Sequence, residues 1–414
     1  MMVAPKLRFK ADDGSEFPAW EKKTLGDIVE RVTRKNRDNQ TDVPLTISSL
    51  DGLVDQRDYF KKTVASKDMS GYFLLQNGEF AYNKSYSVGF DYGSIKRLDK
   101  CPCGALSTLY ICFGLKPNVD IDSDYLTHYF DSQKWNSEVA AICAEGARNH
   151  GLLNVSTSDF FDINIMSPSF SEQRKIADFL SAVDDVIATQ QAEVDAWEQR
   201  KKGVMQKLFS QEVRFKADDG SDFPDWEEKT LGDLGEFIKG APLSKADIAP
   251  EGNPMILYGE LYTTYGEVAY EIARSTNRNV DDKYRSKIGD VLIPTSGETP
   301  EEISTATCVM KEGVILAGDL YIYRTVDEID GRIMSYLLNH QANKAISCIA
   351  QGKSVVHVQA KELRNVTVVF PLEMGEQRKI ADCLSSMDEV IRKAKDELAK
   401  WQELKKGLLQ QMFV

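Results

Sequence analysis

The sequence of 414 residues predicts an α+β fold: two mixed α/β domains separated by two long helices that pair as an antiparallel coiled coil, with pseudo-twofold symmetry. Three observations predict this. A helical segment occurs twice, a short N-terminal segment occurs twice, and the two segments of about 145 residues between them share a pattern but little sequence. A repeat in this order is typical of a circularly permuted protein, in which a closed arrangement of parts is opened at one point in the chain. We therefore expect the two termini to lie close together.

The long helical segment spans Glu172 to Phe209 and recurs from Glu376 to Phe413, with 19 identities in 38 positions. Neither copy contains proline, and apolar residues recur in alternating steps of four and three, which is the heptad seam of paired helices. At 1.5 Å per residue each helix is about 55 Å long, too long for one domain to cover. The predicted seam is Ile176, Leu180, Val183, Ile187, Val194 and Trp197 with Ile380, Leu384, Met387, Ile391, Leu398 and Trp401.

Two positions of each seam are not filled by large apolar side chains. They are Gln190 and Lys201 in the first copy, and Ala394 and Lys405 in the second. The alternative interpretation is that the helices are unrelated and that each packs on its own domain. The match of the two seams, position by position, favours pairing.

The N-terminal repeat spans Arg8 to Asp27 and Arg214 to Asp233, with 17 of 20 positions identical. Asp13-Gly14 predicts a tight turn, and Phe17-Pro18 with Trp20 indicates an apolar clip that seats the turn on the rest of the protein. The predicted boundaries are residues 1–20 (first clip), 21–171 (first mixed domain), 172–211 (first long helix), 212–226 (second clip), 227–375 (second mixed domain) and 376–414 (second long helix).

The two mixed domains follow one plan. Each has a turn with glycine and an acidic residue that leads into an apolar strand, then a second strand, a helix, a glycine-centred loop and a last strand that a proline ends. The predicted strands are within 75–82, 109–113 and 161–166, and within 287–293, 320–323 and 366–370. The predicted helices are 124–130 and 332–339, and the loops are 144–149 and 350–354.

Composition limits the class of protein. No apolar run is long enough to span a membrane, the N-terminus lacks the apolar core of a signal peptide, and seven cysteines that differ between the halves indicate reduced thiols. We expect a cytoplasmic protein. Cys101-Pro102-Cys103 is too tightly spaced for a zinc knuckle, so no metal site is expected.

Charge is unevenly distributed. The net charge of −13 argues against a simple nucleic-acid binder, yet residues 22–100 carry 14 basic and 11 acidic residues, whereas residues 101–171 carry 3 and 8. The first half therefore contains a basic lobe and an acidic lobe. The alternative is ordinary solvated charge.

No catalytic constellation is found in the sequence. Gly352-Lys353-Ser354 is similar to the end of a phosphate-binding loop, but Ser347 stands where its first glycine is needed. The four histidines are not near a nucleophile motif, and the motif that amino-methyltransferases use to hold a flipped base is absent. We expect no catalytic residue in this chain.

Features suited to nucleic acid occur at matching places in both halves. Arginine and lysine suit phosphates and guanine edges, and asparagine suits adenine. Each cluster alone is more often a solvated loop; together they favour a DNA-facing surface. The candidates are Arg31, Arg34, Lys35, Asn36, Arg37, Tyr82, Asn83, Lys84, Tyr86, Arg148 and Asn149 in the first half, and Arg274, Arg278, Arg285, Lys287, Lys353 and Ser354 in the second.

The duplicated helices begin with Glu-Gln-Arg-Lys-Ile-Ala, and Pro168 and Pro371 lie four and five residues before the two glutamates. With the clips, these motifs resemble the specificity subunits of type I restriction-modification systems over essentially the whole chain. The resemblance implies two target recognition domains, each reading half of a split site on double-stranded DNA. It also implies two methyltransferase subunits that bring S-adenosylmethionine, and restriction subunits that bring ATP-driven cleavage. No cofactor is then bound by this chain.

Two alternatives from other classes remain. In the first alternative, the chain is a stand-alone DNA-binding or coiled-coil scaffold protein without methyltransferase partners. In the second, it is an enzyme with an unrecognised site. A self-sufficient polar surface would indicate the first, and a cluster of perturbed carboxylates would indicate the second.

Overall fold

The computed structural model of the chain describes residues 4–60, 65–143, 153–352 and 355–414. The chain forms two compact units. The first comprises Met1–Ala192 and Lys395–Val414, and the second comprises Glu193–Ala394. Each long helix is therefore divided between the units. Each unit holds the first part of one long helix and the last part of the other.

Within the described ranges, residues 21–209 form ten strands, five short α-helices and the first long helix. The strands are β1 (Glu21–Thr24), β2 (Val29–Arg31), β3 (Leu45–Ser48), β4 (Gly52–Asp55), β5 (Phe73–Gln76), β6 (Phe80–Asn83), β7 (Ser94–Arg97), β8 (Cys103–Leu106), β9 (Ile111–Leu115) and β10 (Asn164–Ser167). The helices are α1 (Leu25–Ile28), α2 (Gln56–Tyr59), α3 (Ser123–Asp131), α4 (Asn136–Ile142), α5 (Thr157–Phe161) and the long α6 (Phe170–Phe209).

Residues 227–412 repeat this order with two more strands and one more short α-helix in their described part. The strands are β11 (Glu227–Thr230), β12 (Gly235–Lys239), β13 (Asn253–Leu257), β14 (Val268–Ala269), β15 (Arg274–Thr276), β16 (Asp290–Pro294), β17 (Ser296–Gly297), β18 (Thr307–Val309), β19 (Ile315–Ala317), β20 (Leu320–Thr325), β21 (Val356–His357) and β22 (Thr367–Phe370). The helices are α7 (Leu231–Leu234), α8 (Glu260–Thr263), α9 (Pro300–Ile303), α10 (Gly331–His340), α11 (Asn343–Ile349), α12 (Ala360–Leu363) and the long α13 (Met374–Met412).

The central sheets of the two units share the order of four strands, and the second sheet has a fifth strand at its edge. The first is β2-β9-β6-β7 and the second is β12-β20-β16-β18-β14. Their registers also correspond, because Phe80 pairs with Phe113 and Val291 pairs with Tyr323. The innermost strands β6 and β16 are buried along almost their whole length, as their continuous apolar sequence requires.

The predicted helices at 124–130 and 332–339 are confirmed as α3 and α10. The predicted strand that begins at Phe161 is wrong at its start, because Phe161 ends α5 and the strand begins at Asn164. Ser156 accepts a hydrogen bond from the Asp159 amide and so caps α5. This local cap overrides the alternating pattern that suggested a strand.

Each clip is a tight turn seated on the start of a long helix. Gly14 and Gly220 have φ of 85° and 86°, so both turns require the left-handed backbone that glycine favours. Trp20 and Trp226 are buried in the cores of their units. The prediction of an apolar clip is confirmed in both copies.

A buried carboxylate joins each clip to its long helix. Glu172 and Glu376 are almost completely buried, and each accepts two hydrogen bonds from one arginine of the clip. Arg8 Nε and Nη2 donate to Glu172 at 2.7 and 2.8 Å, and Arg214 donates to Glu376 at 3.0 and 2.9 Å. Trp226 Nε1 adds a third donor to Glu376 at 3.1 Å. A bidentate pair of this kind compensates the cost of removing the carboxylate from water.

The next residue of each helix ties it to the mixed domain. Gln173 donates to the carbonyl of Pro168 at 2.9 Å and accepts from the Asp122 amide at 2.8 Å. Its equivalent, Gln377, donates to the carbonyl of Pro371 at 2.9 Å and accepts from the Asp330 amide at 2.8 Å. Because the two aspartates cap α3 and α10, the glutamines set where these helices begin against the long helices.

The predicted seam lies on the packed side of both long helices. All twelve seam residues are buried or half-buried. In the first unit Leu180 shares a core with Phe413, and in the second unit Leu208 shares a core with Leu384. The start of one helix thus packs against the end of the other in each unit, which is antiparallel pairing.

The two lysines that interrupt the seam each form an ion pair with the other helix. Lys405 Nζ lies 2.6 Å from Asp184 in the first unit, and Lys201 Nζ lies 2.5 Å from Asp388 in the second. These pairs are repeat equivalents. A polar pair at a seam position fixes which residues face each other, because a shifted register leaves the charges unpaired.

A helix of each mixed domain packs on this ion pair with different chemistry. In the first unit, His128 Nε2 of α3 lies 3.2 Å from Ser181 Oγ, and burial lowers the pKa of this histidine. In the second unit, Tyr336 of α10 donates to Asp388 at 2.5 Å and lies 3.3 Å from Ser385 Oγ. The long helices therefore offer the same serine and aspartate to both domains.

The second unit adds a glutamate to this network. Lys201 Nζ lies 2.8 Å from Glu267, and His340 Nε2 lies 3.3 Å from the same carboxylate. Burial alone would raise the pKa of Glu267, but the hydrogen bond with His340 and the charge of Lys201 hold it at about 2. Burial would likewise lower the pKa of Lys201, but Glu267 and Asp388 keep it raised.

The two termini meet, as predicted from the repeat order. The Leu7 amide donates to the Gln411 carbonyl at 3.0 Å. In the second unit the Val213 amide donates to the Lys207 carbonyl at 3.2 Å. This is the equivalent hydrogen bond at the other junction, where the chain is continuous. Three residues separate Phe209 from Val213, and joining Val414 directly to Pro5 leaves the same spacing between Phe413 and Leu7.

We expect a circular permutant that joins Val414 to Pro5 and opens the chain between Gln211 and Glu212 to keep the fold. Its melting temperature should stay within about 5 °C of the parent, because only one chain break is exchanged for an equivalent one. Circular dichroism during heating measures this. A permutant with the same junction that is opened inside β6, between Ala81 and Tyr82, is the control and should not fold. Loss of structure in the first permutant would contradict the equivalence of the two junctions.

We expect Glu267→Gln to lower stability in a pH-dependent way. The folded-state pKa of Glu267 lies below its ordinary value, so its stabilisation is full above about pH 5 and is lost as the pH falls towards 2. The variant should be about 3 kcal/mol less stable than the parent at neutral pH, with the difference shrinking in acid. Urea unfolding at several pH values measures this, with the exposed Glu251→Gln as the control. A difference that does not change with pH would contradict the assignment.

Candidate nucleic-acid interface

The first basic cluster of the mixed domain lies at the start of the central strand. Arg34 Nη2 donates to both carboxylate oxygens of Glu79, at 2.9 and 2.7 Å, and Glu79 directly precedes β6. Arg31 pairs across the sheet with Phe113, which pairs with Phe80, the first residue of β6. This end of the sheet contains a cleft of about 430 Å³ lined by both arginines.

The first described residue after the glycine-centred loop, Leu153, lies at the other end of the same strand. The Leu153 amide, just after that loop, donates to the Lys84 carbonyl at 2.9 Å, and Lys84 directly follows β6. A strand of four residues separates its ends by about 10 Å. The sequence candidates of the first unit therefore form two groups, which we call the strand-start group and the strand-end group.

The second unit has the same division. Arg324 donates to the Arg285 carbonyl at 2.7 Å and pairs with Asp290, the first residue of β16. At the other end of β16, the Val358 amide donates to the Thr295 carbonyl at 3.1 Å. This bond is the equivalent of the one between Leu153 and Lys84. Basic candidates therefore lie near the start of the central strand in both units, Arg31 and Arg34 in the first and Arg285 in the second.

The cations of the strand-start group differ in how they are held. Arg31 and Arg37 are exposed and have no hydrogen-bond or ion-pair partner among the described residues. Arg34 is bound to Glu79, and Lys35 donates to the Gly71 carbonyl at 2.9 Å while lying 4.1 Å from the ring centre of Phe73. Arg31 and Arg37 are therefore the cations of this group best able to reach a phosphate.

Two candidates of the first unit are not on a surface. Asn36 is fully buried and closes a loop by exchanging hydrogen bonds with the backbone of Thr41 at 3.0 Å. Tyr82 is fully buried, stacks on Phe160 at 4.7 Å between ring centres, and donates to the Tyr92 carbonyl at 2.8 Å. Their selection as DNA-binding residues is wrong, because Asn36 closes a loop and Tyr82 packs in the core.

The strand-end group contains apolar residues that the sequence analysis did not select. Leu50 and Val88 are 85% and 91% exposed, and Tyr86 is 50% exposed. Ser49 Oγ and Ser87 Oγ lie 2.9 Å apart, so the turns that carry Leu50 and Val88 are held together. Leu50 stands in Ser49-Leu50-Asp51-Gly52 and Val88 in Ser87-Val88-Gly89, and a single apolar residue in a turn gives no periodic signal in the sequence. Asn83 and Lys84 lie beside them and are half-buried.

Most cations of the second unit are tied to carboxylates. Arg274 Nε lies 2.9 Å from Glu260, and Arg278 Nε lies 2.9 Å from Asp247. Arg285 Nη1 donates to the Gly313 carbonyl at 3.2 Å. These side chains cross-link the loops that carry them. Lys287 is exposed, its backbone amide donates to Asp290, and its ammonium has no hydrogen-bond or ion-pair partner among the residues that the structure describes. Arg148, Asn149, Lys353 and Ser354 lie outside the described residues.

Groups suited to metal binding or membrane insertion are not found in the part of the chain that the structure describes. No cluster of three or more His, Cys, Asp or Glu side chains there has the geometry to hold a metal ion. No helix of the described ranges is long and apolar enough to cross a membrane. Cys101 Sγ donates to the Cys103 carbonyl at 3.4 Å, and no disulfide joins any of the seven cysteines, all of which lie in the described ranges.

Residues 19–196 and 224–400 each match the family model described as the type I restriction modification DNA specificity domain. The chain belongs to this family. Each match covers the end of a clip, a mixed domain and the first part of a long helix. The two specificity domains are therefore the two repeats found in the sequence.

Similar proteins agree over nearly their whole length. The chain is 23% identical over 429 residues to the type I restriction enzyme MjaVIII specificity subunit of Methanocaldococcus jannaschii, covering 97% of this chain and 94% of the relative. It is 26% identical over 415 residues to the putative type I restriction enzyme MjaX specificity subunit of the same organism, covering 95% and 93%.

Solved structures share the fold. The crystal structure of a type I restriction-modification system S subunit from M. genitalium matches with a TM-score of 0.61 at 16% identity, covering 100% of this chain and 99% of that one. A chain from a structure of type I R-M complex assembly and conformational transition matches with a TM-score of 0.51 at 17% identity, covering 96% and 98%.

We expect Arg31→Gln combined with Arg37→Gln to weaken binding to all DNA sequences alike. Each arginine that neutralises a phosphate releases a counterion, so the slope of log affinity against log salt should fall by about two for the pair. Fluorescence anisotropy over a series of salt concentrations measures this. Lys22→Gln with Lys100→Gln removes the same charge from exposed positions and is the control. An unchanged slope in the arginine variant would place these residues away from DNA.

Proposed function

We propose that this chain is the DNA-recognition subunit of a type I restriction-modification complex. Each specificity domain reads one half of a bipartite DNA site. The pair of long helices fixes the spacing between the halves and docks two methyltransferase subunits. The chain catalyses no reaction itself, and S-adenosylmethionine and ATP bind to the methyltransferase and restriction subunits.

The observation that carries this proposal is the contrast between the two parts of each repeat. Both units have the same clip and the same contacts between the clip and the long helix. These are the buried glutamate with its arginine, and the glutamine that binds the mixed domain. The surfaces at the ends of β6 and β16 differ. The first unit has the exposed Leu50 and Val88 and the exposed Arg31 and Arg37, whereas the second has arginines paired with carboxylates and the exposed Lys287. A protein that must read two different half-sites through equivalent attachments requires this division.

The reading groups follow from the exposed chemistry. Arg31, Arg37 and Lys287 suit phosphates and guanine edges, while Arg274 and Arg278 present guanidinium groups that are already oriented by carboxylates. At the strand end, Leu50 and Val88 suit the methyl group of thymine. The glycine-centred loops and their Arg148, Asn149, Lys353 and Ser354 remain proposed contacts.

Dimensions support the role of the helices. Helices of 40 and 39 residues are about 60 Å long, which exceeds the roughly 34 Å of one DNA turn. Ion pairs at seam positions hold the register in each unit, so the helices suit a fixed spacing. The acidic net charge of −13 is compatible with DNA binding if the methyltransferase subunits supply many phosphate contacts.

Seven cysteines without a disulfide suit a reducing compartment, and we propose that the protein works in the cytoplasm. The alternative of a stand-alone scaffold protein is disfavoured, because the family match covers both repeats with their specificity domains.

The test is a map of methylated adenines in cells that carry this chain with the methyltransferase encoded beside it, compared with cells from which this chain is deleted. We expect methylation at one split and asymmetric motif that disappears on deletion. An unchanged map, with the methyltransferase shown to be active, would overturn the proposal and favour the scaffold alternative.

A further inference from the structure

Among the residues that the structure describes, the three most exposed large apolar side chains lie at one end of one sheet. Val88, Leu50 and Leu109 are 91%, 85% and 66% exposed, and all three belong to the first unit. Val88 lies between β6 and β7, and Leu109 lies just before β9. Because Tyr82 of β6 pairs with Ile111 of β9, both turns lie at the end of β6. We call these three residues the apolar tips.

The turn that carries Leu50 is held at the same end of the sheet. Ser49 Oγ lies 2.9 Å from Ser87 Oγ and 3.1 Å from Ser94 Oγ, and Ser94 is the first residue of β7. The tips therefore extend across the neighbouring strands β9, β6 and β7, which span about 10 Å. This span fits within the major groove of DNA, which is about 12 Å wide.

Hydrogen bonds fix the turn that carries Val88. The Phe90 amide donates to the Ser87 carbonyl at 2.8 Å, and Gln133 Nε2 donates to the Gly89 carbonyl at 3.0 Å. Gly89 has φ of 80°, the left-handed backbone that such a tight turn uses. Val88 is thus held out into solvent by a closed turn.

The other two tips are held in the same way. In the turn before β4, the Asp51 amide donates to Ser48 Oγ at 3.1 Å, and Ser48 Oγ donates to the Asp51 carboxylate at 2.7 Å. In the turn before β9, the Tyr110 amide donates to the Ser107 carbonyl at 3.3 Å. Groups that are ordered before binding lose little conformational entropy when they make a contact.

The second unit has a polar residue where the first has Val88. The Lys84 and Thr295 carbonyls accept equivalent hydrogen bonds, and four residues after them stand Val88 and Thr299. Thr299 Oγ1 accepts from the Glu302 amide at 3.2 Å and caps α9. The apolar tip is therefore replaced by a helix cap.

The place of Leu109 is also polar in the second unit. Ile111 and Tyr321 occupy equivalent pairs of the two central sheets, and two residues before them stand Leu109 and Asp319. Asp319 is exposed and accepts a hydrogen bond from Ser296 Oγ at 3.1 Å. A carboxylate therefore stands where the first unit has an apolar side chain.

The place of Leu50 is filled by a buried residue in the second unit. Pro44 forms a parallel bridge with β8, and Met255 forms the equivalent parallel pair with β19. Six residues after them stand Leu50 and Leu261, and Leu261 is buried. All three apolar tips are thus features of the first unit alone.

The group that covers the tips must therefore differ between the two halves of the complex. Exposed apolar side chains gathered at one edge indicate a binding surface. In the proposed complex, two identical methyltransferase subunits meet equivalent surfaces of the two repeats, whereas the two halves of an asymmetric DNA site differ. The tips therefore suit a DNA half-site rather than a subunit.

We infer that the apolar tips are specificity-determining residues with which the first domain reads the 5-methyl groups of thymine in its half-site. Of the groups that base edges present in the major groove, the thymine methyl is the apolar one. Lys84, which directly follows β6, has no side-chain partner among the described residues and is available to a flanking phosphate. This inference rests on the proposed function and deepens it, because it names the chemical group that one domain reads.

The experiment removes the methyl groups from the DNA one at a time. The full chain, co-produced with its methyltransferase, is titrated by fluorescence anisotropy against a duplex that carries the site found by methylation mapping. Deoxyuridine replaces thymine singly at each position of both half-sites, which removes the 5-methyl group and keeps the base pair. We expect about a fourfold loss of affinity for each methyl group that a tip covers, with all the losses in one half-site.

Serine variants of the tips connect the loss to these residues. Leu50→Ser, Val88→Ser and Leu109→Ser should each reduce the preference for thymine over uracil. The triple variant should bind the thymine and uracil duplexes equally at every position of that half-site. The ratio of the two affinities is measured on one preparation, so it does not depend on the folded fraction of a variant.

A matched control uses an exposed apolar residue elsewhere. Ile288 is 62% exposed and lies just before β16 in the second unit, at the other end of a central strand. Ile288→Ser should keep the parental preference for thymine. The melting temperatures of all these variants should stay near that of the parent, because the altered side chains are exposed.

The outcomes separate this inference from the proposed function. Equal binding of thymine and uracil duplexes by the parent at every position, or a triple variant that keeps the parental preference, would overturn the role of the tips and leave the proposed function intact. Loss of a methyltransferase copy from the triple variant, with its thymine preference unchanged, would likewise overturn that role and assign the tips to a protein contact. A parent complex that binds its site no better than a scrambled duplex would overturn the proposed function itself.

Discussion

Each half of this protein depends on one buried carboxylate. Glu172 and Glu376 lose their hydration on folding, and an isolated buried carboxylate is strongly unfavourable. The clip arginine compensates that cost with two parallel hydrogen bonds, so the clip and the start of the long helix stabilise each other. The neighbouring glutamine then fixes where α3 and α10 begin. The position of the whole mixed domain against its helix follows from two adjacent side chains, which explains why this part of the repeat has changed least.

The polar network at the seam shows how the same helix accepts two different domains. Asp184 and Asp388 are held by lysines of the opposite helix, and beside them the two domains present His128 and Tyr336. One is a buried histidine whose pKa is lowered, and the other is a phenol that donates a short hydrogen bond. The helices therefore provide an attachment whose chemistry tolerates divergence in the domain that docks on it. This tolerance is what a protein needs if its recognition domains change while its partners do not.

The frame of the protein was predictable from the sequence, and most of the recognition surface was not. The duplication predicted the order of parts, the helix pair and the meeting of the termini, because alignment of the two copies shows which residues occupy equivalent positions. Heptad spacing did not reveal the partners of Lys201 and Lys405, since an ion pair across helices leaves no local pattern. Asn36 and Tyr82 were wrongly predicted to contact DNA, because hydrogen-bond donors and aromatic rings stabilise loops and cores as readily as they bind DNA. Leu50 and Val88 were missed because apolar residues in turns carry no periodic signal, and only their exposure identifies them.

The central claim is that two equivalent attachments hold two independent reading domains in the pseudo-twofold arrangement that the sequence repeat predicts. The most direct test replaces residues 21–171 by a second copy of residues 227–375 and maps methylated adenines in cells that contain the methyltransferase. Twofold symmetry of a protein requires a palindromic site. The account predicts methylation at an inverted repeat of one original half-site, with the original spacing. A motif that stays asymmetric, or two half-sites in the same direction, would contradict it.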